Sequence, residues 1–216
     1  MKSTILKKRI FTSIFLLLLT FLIFKFDFVM VLSLLILGIF SILEFINLSK
    51  KIFKNSFYYY LFNFIFITFI SVFSFLFFFF SNFHQLKFII LILLIGCVAS
   101  DIGGYVFGKT FKGPKLTKLS PNKTIAGSIG SFLFSVTIIS ILFYYYTDIF
   151  NIKILFISFI TSLACQLGDL FFSYLKRKAK LKDTGNFLPG HGGVLDRLDG
   201  IYFGIPLGFI ALILFF

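Results

Sequence analysis

From Tyr58 to Phe80 the chain runs without a single charged side chain. A helix needs about 20 apolar residues to cross the hydrocarbon of a bilayer. In lipid, helices and closed barrels are the structures that satisfy their own backbone hydrogen bonds. Apolar runs of similar length recur along the sequence, at about Ile10–Phe24, Phe28–Ile46, Tyr58–Phe80, Leu86–Gly108, Ser128–Tyr146, Ile152–Leu175 and Ile201–Phe216. The expected fold is therefore an all-α polytopic membrane protein with about seven transmembrane helices. The first two spans have an alternative reading as a re-entrant hairpin. In chain order, residues 1–85 form an N-terminal transmembrane region of three helices. Residues 86–216 form a second region that carries both long polar loops, 109–127 and 176–200.

The charges orient these spans. Of 21 Lys and Arg, all but Lys25, Lys87 and Lys153 fall in the N-terminus and in alternate loops. The positive-inside rule places that side in the cytoplasm. The N-terminus is then cytoplasmic, the C-terminus outside, and both polar loops face the cytoplasm. This asymmetry accounts for most of the net charge of +13, so nucleic acid is not an expected partner. The start, with Lys2, Lys7, Lys8 and Arg9 before an apolar run, resembles a signal peptide. No small-x-small cleavage site follows, and a retained first helix is expected. Cys97 and Cys165 both sit in apolar spans and are expected to be small packing residues.

With 13% charged residues, the chain places its few acids selectively. Four of eight acidic residues, Asp169, Asp183, Asp196 and Asp199, lie between Gln166 and Asp199. Asp101 and Asp169 lie well inside apolar spans, where a carboxylate is a functional candidate by default. Counting back from Lys109 and Lys176 at about 1.5 Å per residue, both lie roughly 10 to 12 Å below the cytoplasmic helix ends. Equal depth points to one cavity open to the cytoplasm, and no lysine lies in the spans at that depth. Glu44, near the end of the second span, can reach the interface. Helical spacing puts Ser173 and Gln166 on the side of Asp169, and Tyr105 beside Asp101. Gly104 and Gly108 form a small-residue stripe for close helix packing.

The two loops carry the remaining chemistry. Ser120-Pro121-Asn122-Lys123-Thr124, followed by Gly127, offers a lysine, hydroxyls and glycine-freed backbone. These are parts of a phosphate cradle. Pro189-Gly190-His191-Gly192-Gly193 is a turn that lets backbone approach a ligand. It leads into a helix start with Asp196 and Asp199 on one face. With Asp169, these carboxylates supply the hard oxygen ligands that suit Mg²⁺. Lys176, Arg177, Lys182 and Arg197 can meet phosphate charge.

These motifs resemble the phosphatidate cytidylyltransferase (CDP-diacylglycerol synthase) family. Ser173, Lys176, Arg177, Lys182, Asp183, Gly185, Pro189, Gly190, His191, Gly192, Gly193, Asp196, Arg197 and Asp199 stand in the family's spacing. Gln166-Leu167-Gly168-Asp169, Asp101-x-x-Gly104-Tyr105-x-x-Gly108-Lys109 and Ser120–Thr124 look like the family as well. The resemblance covers about Asp101 to Gly200. One departure stands out: many members carry Glu two residues after that Thr, where this chain has Ala126.

The resemblance implies a catalytic region at 86–216 and a reaction in which CTP and phosphatidic acid give CDP-diacylglycerol and pyrophosphate, a step of phospholipid biosynthesis. It also implies a bacterial-type inner membrane, Mg²⁺ as cofactor and a second metal ion, for which a monovalent ion is one option. Asp169 and Asp196 would hold metal, supported by Asp199 and Asp101. Lys176, Arg177, Lys123 and Arg197 would neutralise phosphates. Ser173 and the backbone of Gly190, Gly192 and Gly193 would hold phosphate oxygens, and His191 would orient a carboxylate or contact phosphate. Substrate contacts would extend to Ser120, Asn122, Thr124, Lys182, Asp183 and Tyr105. The glycine stripe permits a homodimer.

Two other readings bear weighing. A CTP-dependent lipid-alcohol (polyprenol-type) kinase would release CDP instead of pyrophosphate. A cation-coupled transporter would use acids within the membrane, but it gives no reason for a glycine-rich loop flanked by acids outside the spans.

Overall fold

A computed structural model describes the backbone of residues 2–54, 56–117, 120, 123–148, 150–187 and 192–215, and their side chains from residue 12 onward except 13 and 15. The described residues form seven α-helices, α1 (Lys2–Lys25), α2 (Asp27–Phe53), α3 (Phe57–Ser81), α4 (His84–Phe111), α5 (Ile125–Thr147), α6 (Ile152–Lys178) and α7 (Leu195–Phe215). Among these residues the extended structure is a single isolated bridge, Lys115 to Thr124. Helices α2 to α7 are each long and apolar enough to cross a membrane. In α1 the apolar stretch among the fully described residues is Leu16–Lys25, shorter than a span, so the expected first crossing lies outside this count. α1 and α2 are separate helices of 24 and 27 residues joined at Phe26.

Large apolar side chains face outward. Leu17, Phe64 and Leu214 are 73%, 69% and 76% exposed. Meanwhile Ser33, Ser41, Ser49, Ser100, Ser158 and Ser162 are buried. A water-soluble domain buries its large apolar groups and does not expose contiguous apolar surface on this scale. The chain is built as an integral membrane protein.

Several helices run further than their apolar spans. The basic stretch between the second and third expected spans, Asn47–Phe57, is largely helix, because α2 continues to Phe53 and carries Lys50 and Lys51 in its last turn. Likewise α6 continues through Lys176, Arg177 and Lys178. Lysines at a helix C-terminus meet the negative end of its dipole, so the helix has no reason to stop where the apolar run stops. α2 ends instead at Lys54, which takes a left-handed conformation at φ 45° and returns its N–H to the Lys50 carbonyl.

The chain folds as two compact units. The first comprises Met1–Asn82 with Leu175–Leu198. Within it, Phe45 of α2 stacks on Phe62 and Phe66 of α3, and Ser49 donates to Asn63 Oδ1 at 2.7 Å. The second comprises Phe83–Tyr174 with Asp199–Phe216. Its core gathers Ile92, Ile139, Phe143 and Ile154.

Small residues set the helix contacts of the second unit. Gly103, Gly104 and Gly108 of α4 meet Gly127, Gly130 and Ser131 of α5, which confirms packing as the meaning of the Gly104–Gly108 stripe. On α7, Gly200, Gly204 and Gly208 lie against Cys165, Cys97 and Thr161. Both cysteines are buried free thiols, as expected of packing residues.

A side chain at Gly130 would strike Phe107 and the Gly103 backbone, whereas one at Gly38 would meet Ile70 and Ser74 at ordinary distances. G130L is expected to lose about 2–3 kcal/mol through overpacking, and G38A less than about 0.5 kcal/mol. Thermal unfolding of the detergent-solubilised chain with each substitution measures the difference.

Candidate active site

The first polar loop closes on itself. Leu116 N–H donates to the Lys123 carbonyl at 2.8 Å, and Ile125 N–H to the Pro114 carbonyl at 3.1 Å. Thr124 is extended, and its hydroxyl accepts from Gly127 N–H at 3.0 Å, capping α5. Such caps satisfy helix donors that have no partner within the helix. The Thr124 hydroxyl, expected at substrate, therefore has a structural duty.

This loop delivers Lys123, whose Nζ lies 2.8 Å from Asp169 Oδ2. No lysine lies in the spans at the depth of Asp169, as expected, yet one reaches that carboxylate from outside them. The lysine comes from a loop, not from a span, and its long apolar stem carries the ammonium inward. The pair is part-exposed, at 30% for Lys123 and 23% for Asp169. Beside it, Ser128 of α5 donates to Gln166 Oε1 at 2.5 Å. Ser173, one turn on from Asp169, is half-buried. Asp101 is exposed, and its Oδ1 lies 3.9 Å from the Cys165 thiol, one turn before Asp169. Tyr105 is also exposed, with Lys109 Nζ 3.4 Å from its hydroxyl. Ser120 N–H donates to Thr117 Oγ1. Asp199 is buried and accepts from Gly200 N–H at 3.0 Å.

In the other unit, the second loop surrounds a tighter pair. Lys176 Nζ lies 2.7 Å from Asp196 Oδ1, with side-chain exposures of 12% and 5%. Asp196 Oδ2 also accepts from Thr184 N–H at 2.8 Å and Gly193 N–H at 3.1 Å. Gly192, at φ +86°, holds the left-handed conformation that favours glycine. Around this pair, Arg177, Lys182, Asp183 and Arg197 are exposed, and Arg177 donates to the Leu181 carbonyl at 3.3 Å.

A residue not counted among the expected site residues completes this loop. Glu44, expected near the membrane interface, is 6% exposed. It accepts from Thr184 Oγ1 at 2.8 Å, Val194 N–H at 3.0 Å and Leu195 N–H at 2.9 Å. A side chain at Gly185 or Gly193 would strike its carboxylate. These two glycines thus make room for the protein's own acid, although Gly193 belongs to the turn expected to bring backbone to a ligand. The available signal was an acid within an apolar span together with glycines in a distant loop. Asn122, Gly190 and His191 lie outside the described residues.

Among the described residues, no group of three or more His, Cys, Asp or Glu gathers as a ready-made metal cage. Mg²⁺ does not need one. It is commonly held by one or two carboxylates and keeps waters and substrate phosphates as its other ligands. Asp169 and Asp196 are hard oxygen donors, each already holding a positive charge at 2.8 or 2.7 Å. In that chemistry they fit a divalent cation.

The fold and these pairs define a class: a helical membrane protein with lysine–carboxylate pairs beside two polar loops. The chain belongs to the cytidylyltransferase family, whose model matches residues 3–215. It is similar to proteins named phosphatidate cytidylyltransferase in several bacteria. The one from Helicobacter pylori is 43% identical over 126 residues, covering 58% of this chain and 47% of that protein. The one from Rickettsia typhi is 42% identical over 131 residues, covering 56% and 57%. The one from Staphylococcus aureus is 42% identical over 137 residues, covering 62% and 50%. The chain spans about half the length of the curated relatives it matches.

Breaking the more buried pair should cost more stability. K176A leaves Asp196 with a shielded, unmatched charge and is expected to lose roughly 3 kcal/mol. K123A, at a part-exposed pair, is expected to lose about 1 kcal/mol or less. Denaturation of both variants in the same detergent checks this order.

Proposed function

We propose that this chain is a CTP:phosphatidate cytidylyltransferase. CTP and phosphatidic acid are its substrates, CDP-diacylglycerol and pyrophosphate its products, and Mg²⁺ its cofactor. The observation that carries the reading is the Lys176–Asp196 pair, set at 2.7 Å between the two helix ends that flank the glycine-rich loop. A metal-bound triphosphate presents the complementary charges: oxygens for the lysine and a cation for the carboxylate. The family match and the named relatives support the same reading.

The reaction needs no covalent enzyme intermediate. An oxygen of the lipid phosphate attacks the α-phosphorus of CTP, and the bond to the departing pyrophosphate breaks. Catalysis of this kind is positioning and charge neutralisation. Lys123 and Lys176 bind phosphate oxygens as their carboxylates exchange partners. The exposed Arg177, Lys182 and Arg197 collect the anionic substrates at the surface. Asp196, and separately Asp169 in the other unit, are each candidates to hold a divalent cation, which would supply further neutralisation of the triphosphate. Thr184 and Gly193 N–H keep Asp196 oriented throughout.

The charge asymmetry supports an orientation with the N-terminus and both polar loops in the cytoplasm and the C-terminus outside, in a bacterial-type inner membrane. CTP is a cytoplasmic metabolite, which agrees with that orientation.

With CTP labelled on the α-phosphate, purified protein should move label into phosphatidic acid and release pyrophosphate. D196N and D169N should each lower this rate by on the order of 100-fold. Full activity in both variants would remove the metal assignment, and release of CDP with label left out of the lipid would remove the cytidylyl-transfer reading. For orientation, an impermeant maleimide should label K112C only after spheroplasts are permeabilised, and N151C without permeabilisation.

A further inference from the structure

We propose that Glu44 is a positioning residue for Asp196, fixing from α2 the loop and helix start on which that carboxylate is held. The proposal rests on the reading above, in which Asp196 meets the metal-bound triphosphate.

Glu44 and Asp196 grip the same two backbone segments. At residue 184, the N–H goes to Asp196 at 2.8 Å while the hydroxyl goes to Glu44 at 2.8 Å. At the second segment, Gly193 N–H goes to Asp196, and the next two N–H groups, of Val194 and Leu195, go to Glu44. Leu195 is the first residue of α7, and Asp196 follows it directly. A carboxylate at a helix N-terminus satisfies orphan N–H groups and meets the positive end of the dipole. Glu44 therefore sets where α7 begins and, with it, where Asp196 stands.

The surroundings of Glu44 leave it this role. It is 6% exposed, and its oxygens take a hydroxyl and two backbone N–H groups, none of them formally charged. Gly185 and Gly193 leave no space for a side chain against it. A carboxylate so enclosed is not placed to take a substrate proton or to meet phosphate. Its effect on the reaction passes through Asp196 and the donors the two acids share.

Two substitutions displace the contact by different routes. E44Q keeps the shape but replaces one acceptor oxygen with an amide nitrogen, which donates and cannot accept. G185A keeps the charge but pushes the carboxylate aside. Mn²⁺ serves as the metal probe, with binding to the purified full chain read by electron paramagnetic resonance in parallel with steady-state kinetics. Loss of a partner that orients a metal-binding group typically costs about 10-fold or more in affinity or activity. Both variants should therefore weaken Mn²⁺ binding about 10-fold and lower kcat by a similar factor, with KM for CTP changed less than about 3-fold. T184S, which keeps the hydroxyl, should bind Mn²⁺ as the unaltered chain does.

Unchanged Mn²⁺ affinity in E44Q and G185A overturns the proposal, and so does a lowered melting temperature with metal affinity intact. If E44Q is not recovered folded, G185A decides by the same criterion. If the unaltered protein binds Mn²⁺ but transfers no cytidylyl group to phosphatidic acid, the reaction assignment fails, while the comparison of Mn²⁺ affinities still decides the role of Glu44.

Discussion

A carboxylate carried into an apolar helix bundle must find donors within the protein, because lipid supplies none. The polar architecture of this chain follows from that requirement. Glu44 collects a hydroxyl and two backbone N–H groups. Asp196 collects a lysine and two backbone N–H groups, and Asp169 collects a lysine. In each case the partner comes from a polar loop or its border, so the acids in the helices also hold the loops in place. The groups that stabilise the loops are the same ones proposed to meet phosphate and metal, which is economical in a chain with 13% charged residues.

Helix association obeys a second rule. Apolar surface gives no advantage to contact between helices in lipid, so close approach and small polar contacts must supply it. The α4–α5 crossing on Gly103, Gly104, Gly127 and Gly130 shows this, as does the row Gly200, Gly204 and Gly208 on α7. The buried Ser100–Ser162 hydroxyl pair at 3.0 Å adds a polar contact between α4 and α6. The abundant Phe, Ile and Leu side chains largely cover the outer surface.

Much of the fold is legible in the sequence because lipid enforces long apolar spans and leaves their ends basic. The ends are less legible, since Lys50, Lys51 and Lys176 to Lys178 extend their helices past the apolar runs. The site is legible as residue types in family-like spacing but not as contacts. The Gly104–Gly108 stripe reads correctly as packing. Glu44 reads as an interface residue because nothing near it in sequence hints at partners 140 to 151 positions away. Lys123 is equally hidden, because a lysine in a loop gives no sign of how deep its stem will reach.

The sequence by itself determines that the chain lives in lipid, which segments are helical, which side is basic, and that acids, lysines and glycines concentrate in two loops. These properties depend on composition and on spacing over one helix length. Tertiary structure decides which lysine meets which acid, across 46 positions for Lys123 and Asp169 and 20 for Lys176 and Asp196. It also decides that Gly185 and Gly193 are needed beside a glutamate from α2. Such pairings depend on where the helices bring their ends together, and the local pattern of residues carries no record of that.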